Sequence, residues 1–144
     1  MNADQITKIL RRKCGRIFLG VFAADEIPQN IRKPAILVTN TDARGLPGEH
    51  WLAIYFDDDG KGEFFDSFGR SPGPYFANYM DKHSSTWIYN DTQLQNVVSS
   101  FCGNYCVFYC IYRCIGFNLK CIVNMFSRNT LINDYLVHKF VCSQ

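Results

Sequence analysis

From Cys102 onward the chain reads CGNYCVFYCIYRCI, apolar and aromatic on every side of a would-be helix until Arg113 interrupts it. A helix apolar all round belongs inside a protein, and this run falls well short of the length needed to cross a bilayer. It therefore predicts a central buried helix that begins at Cys102. A cysteine at that end meets the positive pole of the helix macrodipole and unpaired backbone N–H groups, both of which favour the thiolate. Gly103 follows, and its lack of a side chain predicts room there for a substrate backbone.

The chain has 144 residues, the size of one domain with a proper core, so we expect a single domain over 1–144. A net charge of +2 makes no case for an obligate nucleic-acid binder or a membrane-surface protein. Seven cysteines is an odd number, and the opening MNADQITKILRRKCG lacks the apolar core of a secretory signal, so a reducing, intracellular site of action is expected. Cys102, Cys106, Cys110 and Cys114 recur every fourth residue along one side of the helix, where disulfides close poorly. The last three read as small core residues.

Periodicity predicts a short amphipathic helix over 4–13, with Asp4 as its cap and Ile6, Ile9 and Leu10 inward. RIFLGVFAADEIP reads as partly extended, and AILVTNT at 35–41 as a buried strand. HWLAIYF and GEFFDSF flank the turn-rich DDDGKG and predict an antiparallel hairpin, with His50 and Asp66 at its two open ends. Residues 76–83 are expected helical and 85–90 extended. A last helix over 129–140 carries Leu131, Ile132, Tyr135, Leu136 and Phe140 as its apolar set.

Thiol-based acyl transfer needs a thiolate, an imidazole, a group that orients the imidazole, and donors for the developing oxyanion. One residue of each kind is available. Alone, His50 reads as a surface residue and Asp66 as a turn cap, but hairpin pairing would bring them together. Gln95 offers a neutral N–H donor beside the Cys102 backbone N–H, with Gln93 as an equally polar competitor. The Asp57–Asp59 run lacks EF-hand spacing and reads as a solvated turn. Cys14, His83, Cys121, His138 and Cys142 lack paired zinc-ligand spacing, so no metal site is expected. Lys8, Arg11, Arg12, Lys13 and Arg16 form the one basic cluster and read as an exposed helix face.

The order His, Asp, Gln, Cys resembles the adenain-like cysteine proteases, the family of the adenovirus maturation enzyme, within a wider group that includes the proteases of ubiquitin-like modifiers. CGRIFLGVF at 14–22, GEHWLAIYF at 48–56, FFDSFG at 64–69 and LQNVVSSFCGNYC at 94–106 carry the likeness, over roughly the first three quarters of the chain. The resemblance implies Cys102 as nucleophile, His50 as base, Asp66 as orienting acid and Gln95 as oxyanion donor. It implies an α+β fold, a mixed sheet packed on the cysteine helix. It further implies an endopeptidase that needs no cofactor for its chemistry and cuts viral structural precursor proteins at Gly-containing sites, in the virion and host nucleus. A short activating peptide and DNA come with the family as activators. The adenovirus enzyme has glutamate where this chain has Asp66, and residues 76–95 lack the cysteine through which its peptide attaches, so the activator expected here is noncovalent. A membrane partner is not expected. Two other readings stand beside this one: a protease that removes a ubiquitin-like modifier, and an inactive interaction module retaining the fold.

Overall fold

Strands β1 (Phe18–Phe22), β2 (Ala35–Asn40), β3 (Trp51–Phe56), β4 (Lys61–Phe65) and β5 (Thr86–Tyr89) form one sheet in chain order in a computed structural model that describes residues 1–144. The two outer pairings, β1 with β2 and β4 with β5, are parallel, and the two inner ones antiparallel. The sheet is therefore mixed, as the sequence predicts. The inner antiparallel pair β3–β4 is the expected hairpin, its turn closed by the Asp57 carboxylate, which accepts the Asp59 and Lys61 N–H groups at 2.8 Å. The parallel step to β5 runs through a crossover helix, α2 (Pro74–His83).

Every residue of β2 is buried because both faces of the sheet are covered. On one face Ile36, Val38, Ala53 and Phe65 meet α1 (Ala3–Cys14) and α3 (Cys102–Cys114), with α5 (Thr130–Cys142) packed on α3. On the other, Leu37, Leu52, Ile54, Phe56 and Phe64 pack against Phe76, Tyr79 and Met80 of α2. Period-two alternation along each strand assigns its residues to these two cores. Residues 103–111 of α3 are all buried, as a helix without a polar face requires. Tyr109 stacks on Phe65 of β4 at 4.8 Å between ring centres and fixes the helix on the sheet.

Two expectations are corrected, and one element is added. The cap of α1 is Asn2, not Asp4: Asn2 and Gln5 exchange reciprocal side-chain-to-backbone bonds at 2.9 Å, a capping box that satisfies two end N–H groups. A short helix, α4 (Leu119–Val123), follows α3 where no periodicity was long enough to reveal it. The inward face of α5 differs most. Leu131, Ile132 and Tyr135 are exposed, while Asn133, Asp134 and Val137 are buried. This helix turns two polar side chains inward because they hold the backbone of residues 94–96, described below. No helix is long and apolar enough to cross a membrane.

Candidate active site

The hairpin places His50 just before β3 and Asp66 just after β4. His50 Nε2 meets Asp66 Oδ1 at 2.7 Å, with both residues about 5 % exposed or less. Nδ1 is thereby left free of Asp66, and Cys102 lies close enough to the imidazole for each to shift the other's ionisation. Cys102 is the first residue of α3 and only partly exposed. Burial opposes its ionisation, but the His50 hydrogen bond, the backbone N–H groups of Trp51 and Gly103 and the His50 charge outweigh it and lower the thiol below its ordinary value. For His50 burial also opposes the charged form, yet the hydrogen bonds to Asp66 and Cys102, with their charges, raise it to about 9. Both shifts run in the direction that favours a thiolate beside an imidazolium.

Asp66 is held more firmly than a turn cap needs to be. The Phe68 N–H donates to the same Oδ1 at 2.8 Å, and Arg70 Nε stands 3.5 Å from Oδ2. Buried Asn90, just past β5, brackets the Asp66 backbone: its Oδ1 accepts the Asp66 N–H at 2.9 Å and its Nδ2 donates to the Asp66 carbonyl at 2.6 Å. Asn90 thus continues the β4–β5 ladder with a side chain where the strand has ended. Phe68 stacks on the imidazole at 4.7 Å and 20° between planes, and the Arg70 guanidinium lies 5.0 Å from the centre of the Phe68 ring. Gly69, at φ +72°, turns the chain under this stack, and a Cβ there would stand 2.5 Å from the Thr92 backbone. Only glycine lets residues 66–69 and 92–95 lie so close.

Gln95 is 1 % exposed and tied at every polar group. Its Oε1 accepts the Ser67 hydroxyl at 2.6 Å, and its Nε2 donates to the Ser99 carbonyl at 2.9 Å and hydroxyl at 3.1 Å. Its own N–H and that of Leu94 both donate to the Ser67 carbonyl, at 3.0 and 2.9 Å. Flanking it, the Leu94 carbonyl accepts from Tyr105 Oη and Asn133 Nδ2 at 3.1 Å each, and the Asn96 N–H donates to Asp134 at 3.3 Å. Here lies the reason for the polar inward face of α5. Gln93 is exposed and donates only to the Gln95 carbonyl, at 3.0 Å.

His50, Asp66 and Cys102 are therefore brought together, whereas Gln95 bonds to Ser67, Ser99 and Gln93 and makes no hydrogen bond with any of the three. Cys106, one turn along α3, is fully buried, with its thiol pushed well above the ordinary value by burial, so it is no alternative nucleophile. Gly103 departs from expectation. A Cβ there would meet Met1 Cβ at 3.1 Å, the Trp51 indole at 3.2 Å and Ile6 Cδ1 at 3.3 Å, so its smallness admits the protein's own side chains rather than a substrate. Asn90, Phe68 and Asp134 were not singled out by sequence, since a single Asn, Phe or Asp beyond a strand or on a helix carries no periodic signal.

No protein-family model matches the sequence, and no curated protein matches it. Solved structures do. The fold is similar to that of the ASFV pS273R protease, at a TM-score of 0.70 and 20 % identity over 93 % of this chain and 64 % of that one. A selenomethionine structure of that protease gives 0.67 and 19 % over 94 % and 65 %. The central domain of the uncharacterised Lpg1148 protein from Legionella pneumophila gives 0.59 and 12 %, over 99 % of this chain and 94 % of that one. This chain thus spans somewhat under two thirds of the pS273R protease, and at these identities the likeness establishes a shared α+β fold, with a mixed five-stranded sheet and the cysteine helix on one of its faces.

Proposed function

We propose that this protein is a cysteine endopeptidase of the adenain-like kind. The observation that carries the reading is the buried 2.7 Å contact between His50 and Asp66 beside a thiol whose ionisation is favoured at a helix N-terminus. Fold likeness to a viral protease supports it. The Cys102 thiolate attacks the scissile carbonyl carbon, and the resulting oxyanion takes hydrogen bonds from Gln95 Nε2 and the Cys102 N–H. Imidazolium Nδ1 delivers its proton to the departing amine, leaving an acyl-thioester. Water then loses a proton to His50 as it attacks, and the acid is released. The substrates are viral structural precursors cut at Gly-containing sites, in the virion and host nucleus. The outer edge of β5, where Ile88 and Tyr89 are exposed, offers a noncovalent activating peptide a strand to pair with. DNA as a second activator would meet exposed Lys8, Arg11 and Lys13 of α1.

The test is incubation of virion precursor proteins with the protein, with and without candidate peptides and DNA, followed by sequencing of the new termini. Cleavage that persists at the parent rate with Cys102→Ala ends the reading. Preferential labelling of Cys102 by a vinylsulfone of a ubiquitin-like modifier would instead make it a deconjugating protease. A Cys102 no more reactive toward iodoacetamide than a free thiol would make it an inactive module.

The pH dependence has a definite shape. Because His50 lies at about 9, above its ordinary 6.5, the imidazolium and the stability its ion pair contributes are fully present below pH 6.5 and lost as pH rises through about 9. Rates (kcat/KM) for amide cleavage are therefore expected to fall on the basic side near pH 9, as the proton needed by the amine is lost, and on the acid side as Cys102 is protonated. Asp66→Asn, which removes an acceptor and a charge that raise His50, is expected to move the basic limb to lower pH. A pH–rate profile of both proteins checks it.

A further inference from the structure

Gln95 is the least free-standing member of the site, and what restrains it is neither the nucleophile nor the base. Its carboxamide has one oxygen that accepts and one nitrogen that donates. Only the nitrogen can serve an oxyanion; the oxygen would repel it. In the resting structure the nitrogen rests on Ser99, whose carbonyl can only accept and which therefore keeps N–H, not C=O, on that side. The carboxamide is planar, so Nε2 and Oε1 turn together, and whatever holds Oε1 sets where the N–H groups point. The one protein partner of Oε1 is the Ser67 hydroxyl at 2.6 Å.

We infer that Ser67 is a positioning residue for the oxyanion donor, an inference that rests on the endopeptidase reading above. Ser67 is fully buried and holds Gln95 at two points, the side-chain oxygen through its hydroxyl and the backbone N–H through its carbonyl. It shares no hydrogen bond with His50 or Cys102, so it acts on the oxyanion alone. Removing the hydroxyl leaves Oε1 buried without a donor, and the carboxamide swings to recover one. The thiolate–imidazolium pair is untouched.

Two reactions of Cys102 separate these roles. Acylation by the p-nitrophenyl ester of N-acetylglycine passes through a tetrahedral oxyanion, whereas alkylation by iodoacetamide displaces iodide from a saturated carbon and forms none. Losing an oxyanion donor outright lowers such rates by roughly 10²- to 10³-fold. Ser67→Ala, which misplaces the donor without deleting it, is expected to slow acylation about tenfold and leave alkylation within about twofold. In a Gln95→Ala background the same substitution is expected to change acylation by less than about twofold, because the group it positions is gone. Unchanged acylation, an equal loss in both backgrounds, or alkylation slowed in parallel would each overturn the inference. Should the alanine variant fail to fold, Ser67→Cys, with a weak S–H donor in nearly the same space, is read by the same ratio. A parent Cys102 that neither reagent modifies faster than a free thiol would bring down the endopeptidase reading itself, and this inference with it. Ordinary parent reactivity with an indifferent Ser67→Ala would bring down the inference alone.

Discussion

Cys102→Ser is expected to lower peptide cleavage by roughly 10⁴-fold or more, on the scale seen when a triad nucleophile is removed, while leaving the fold intact. The substitution exchanges one small atom for another at the first position of α3, where no core packing depends on sulfur. On the endopeptidase reading, what disappears is the ion pair. A serine hydroxyl lies too far from ionisation for the helix end, the Trp51 and Gly103 N–H groups and His50 to bring it within range at neutral pH, although together they suffice for a thiol. His50 should report the change: with the thiolate gone, one of the two partners that hold it near 9 is lost, and an NMR titration of the imidazole should show a lower value. A variant that kept cleaving at a hundredth of the parent rate would mean that His50 alone activates the nucleophile, without a preformed pair.

The largest effect on stability is expected at Glu63, on β4. Its buried carboxylate accepts the Tyr109 hydroxyl at 2.6 Å, the Leu119 N–H at 3.1 Å and faces Arg113 Nε at 3.1 Å. Two helices, α3 and α4, thereby lean on one side chain of β4. Glu63→Ala strands a largely buried guanidinium, left with the Phe117 carbonyl at 3.2 Å and the Tyr55 ring at 4.0 Å but no counter-charge, and leaves a phenol and an end N–H without an acceptor. Breaking a buried pair from one side costs about 3–5 kcal/mol, which for a domain of this size lowers Tm on the order of 10 °C. Glu63→Gln keeps the shape and some of the acceptor capacity, so its loss should be smaller. Denaturant unfolding of the two variants beside the parent decides it, and equal losses would place the effect in packing rather than charge.

Much of the architecture was legible because burial imposes periods. The buried β2, the β3–β4 hairpin and the apolar α3 each carry a pattern that only one kind of element satisfies, and the hairpin alone predicts that His50 and Asp66 meet. The inward face of α5 was misread for the same reason: Leu131, Ile132 and Tyr135 form the more apolar set, but the backbone of residues 94–96 needs hydrogen-bonding partners, and Asn133 and Asp134 supply them. Satisfying buried backbone groups outranks burying a further leucine. Asn90 was invisible for a related reason. It replaces a strand's ladder with its own amide, a role visible only once the strand and its end are in place. Gly103 carried a real signal, a need for no side chain, but sequence cannot say which neighbour exerts the pressure.

Asp66 and Ser67 are consecutive, and their side chains leave the chain end in different directions, one to the base and one to the oxyanion arm. A trans peptide fixes successive Cα atoms 3.8 Å apart and resists stretching or twisting. The two halves of the machinery are thus mounted on a single rigid spacer. Asn90 grips the Asp66 backbone and the Leu94 and Gln95 N–H groups donate to the Ser67 carbonyl, so a ligand that displaces the 90–95 backbone is expected to disturb the carboxylate and the oxyanion arm together, whereas a change confined to the Ser67 side chain reaches the arm alone.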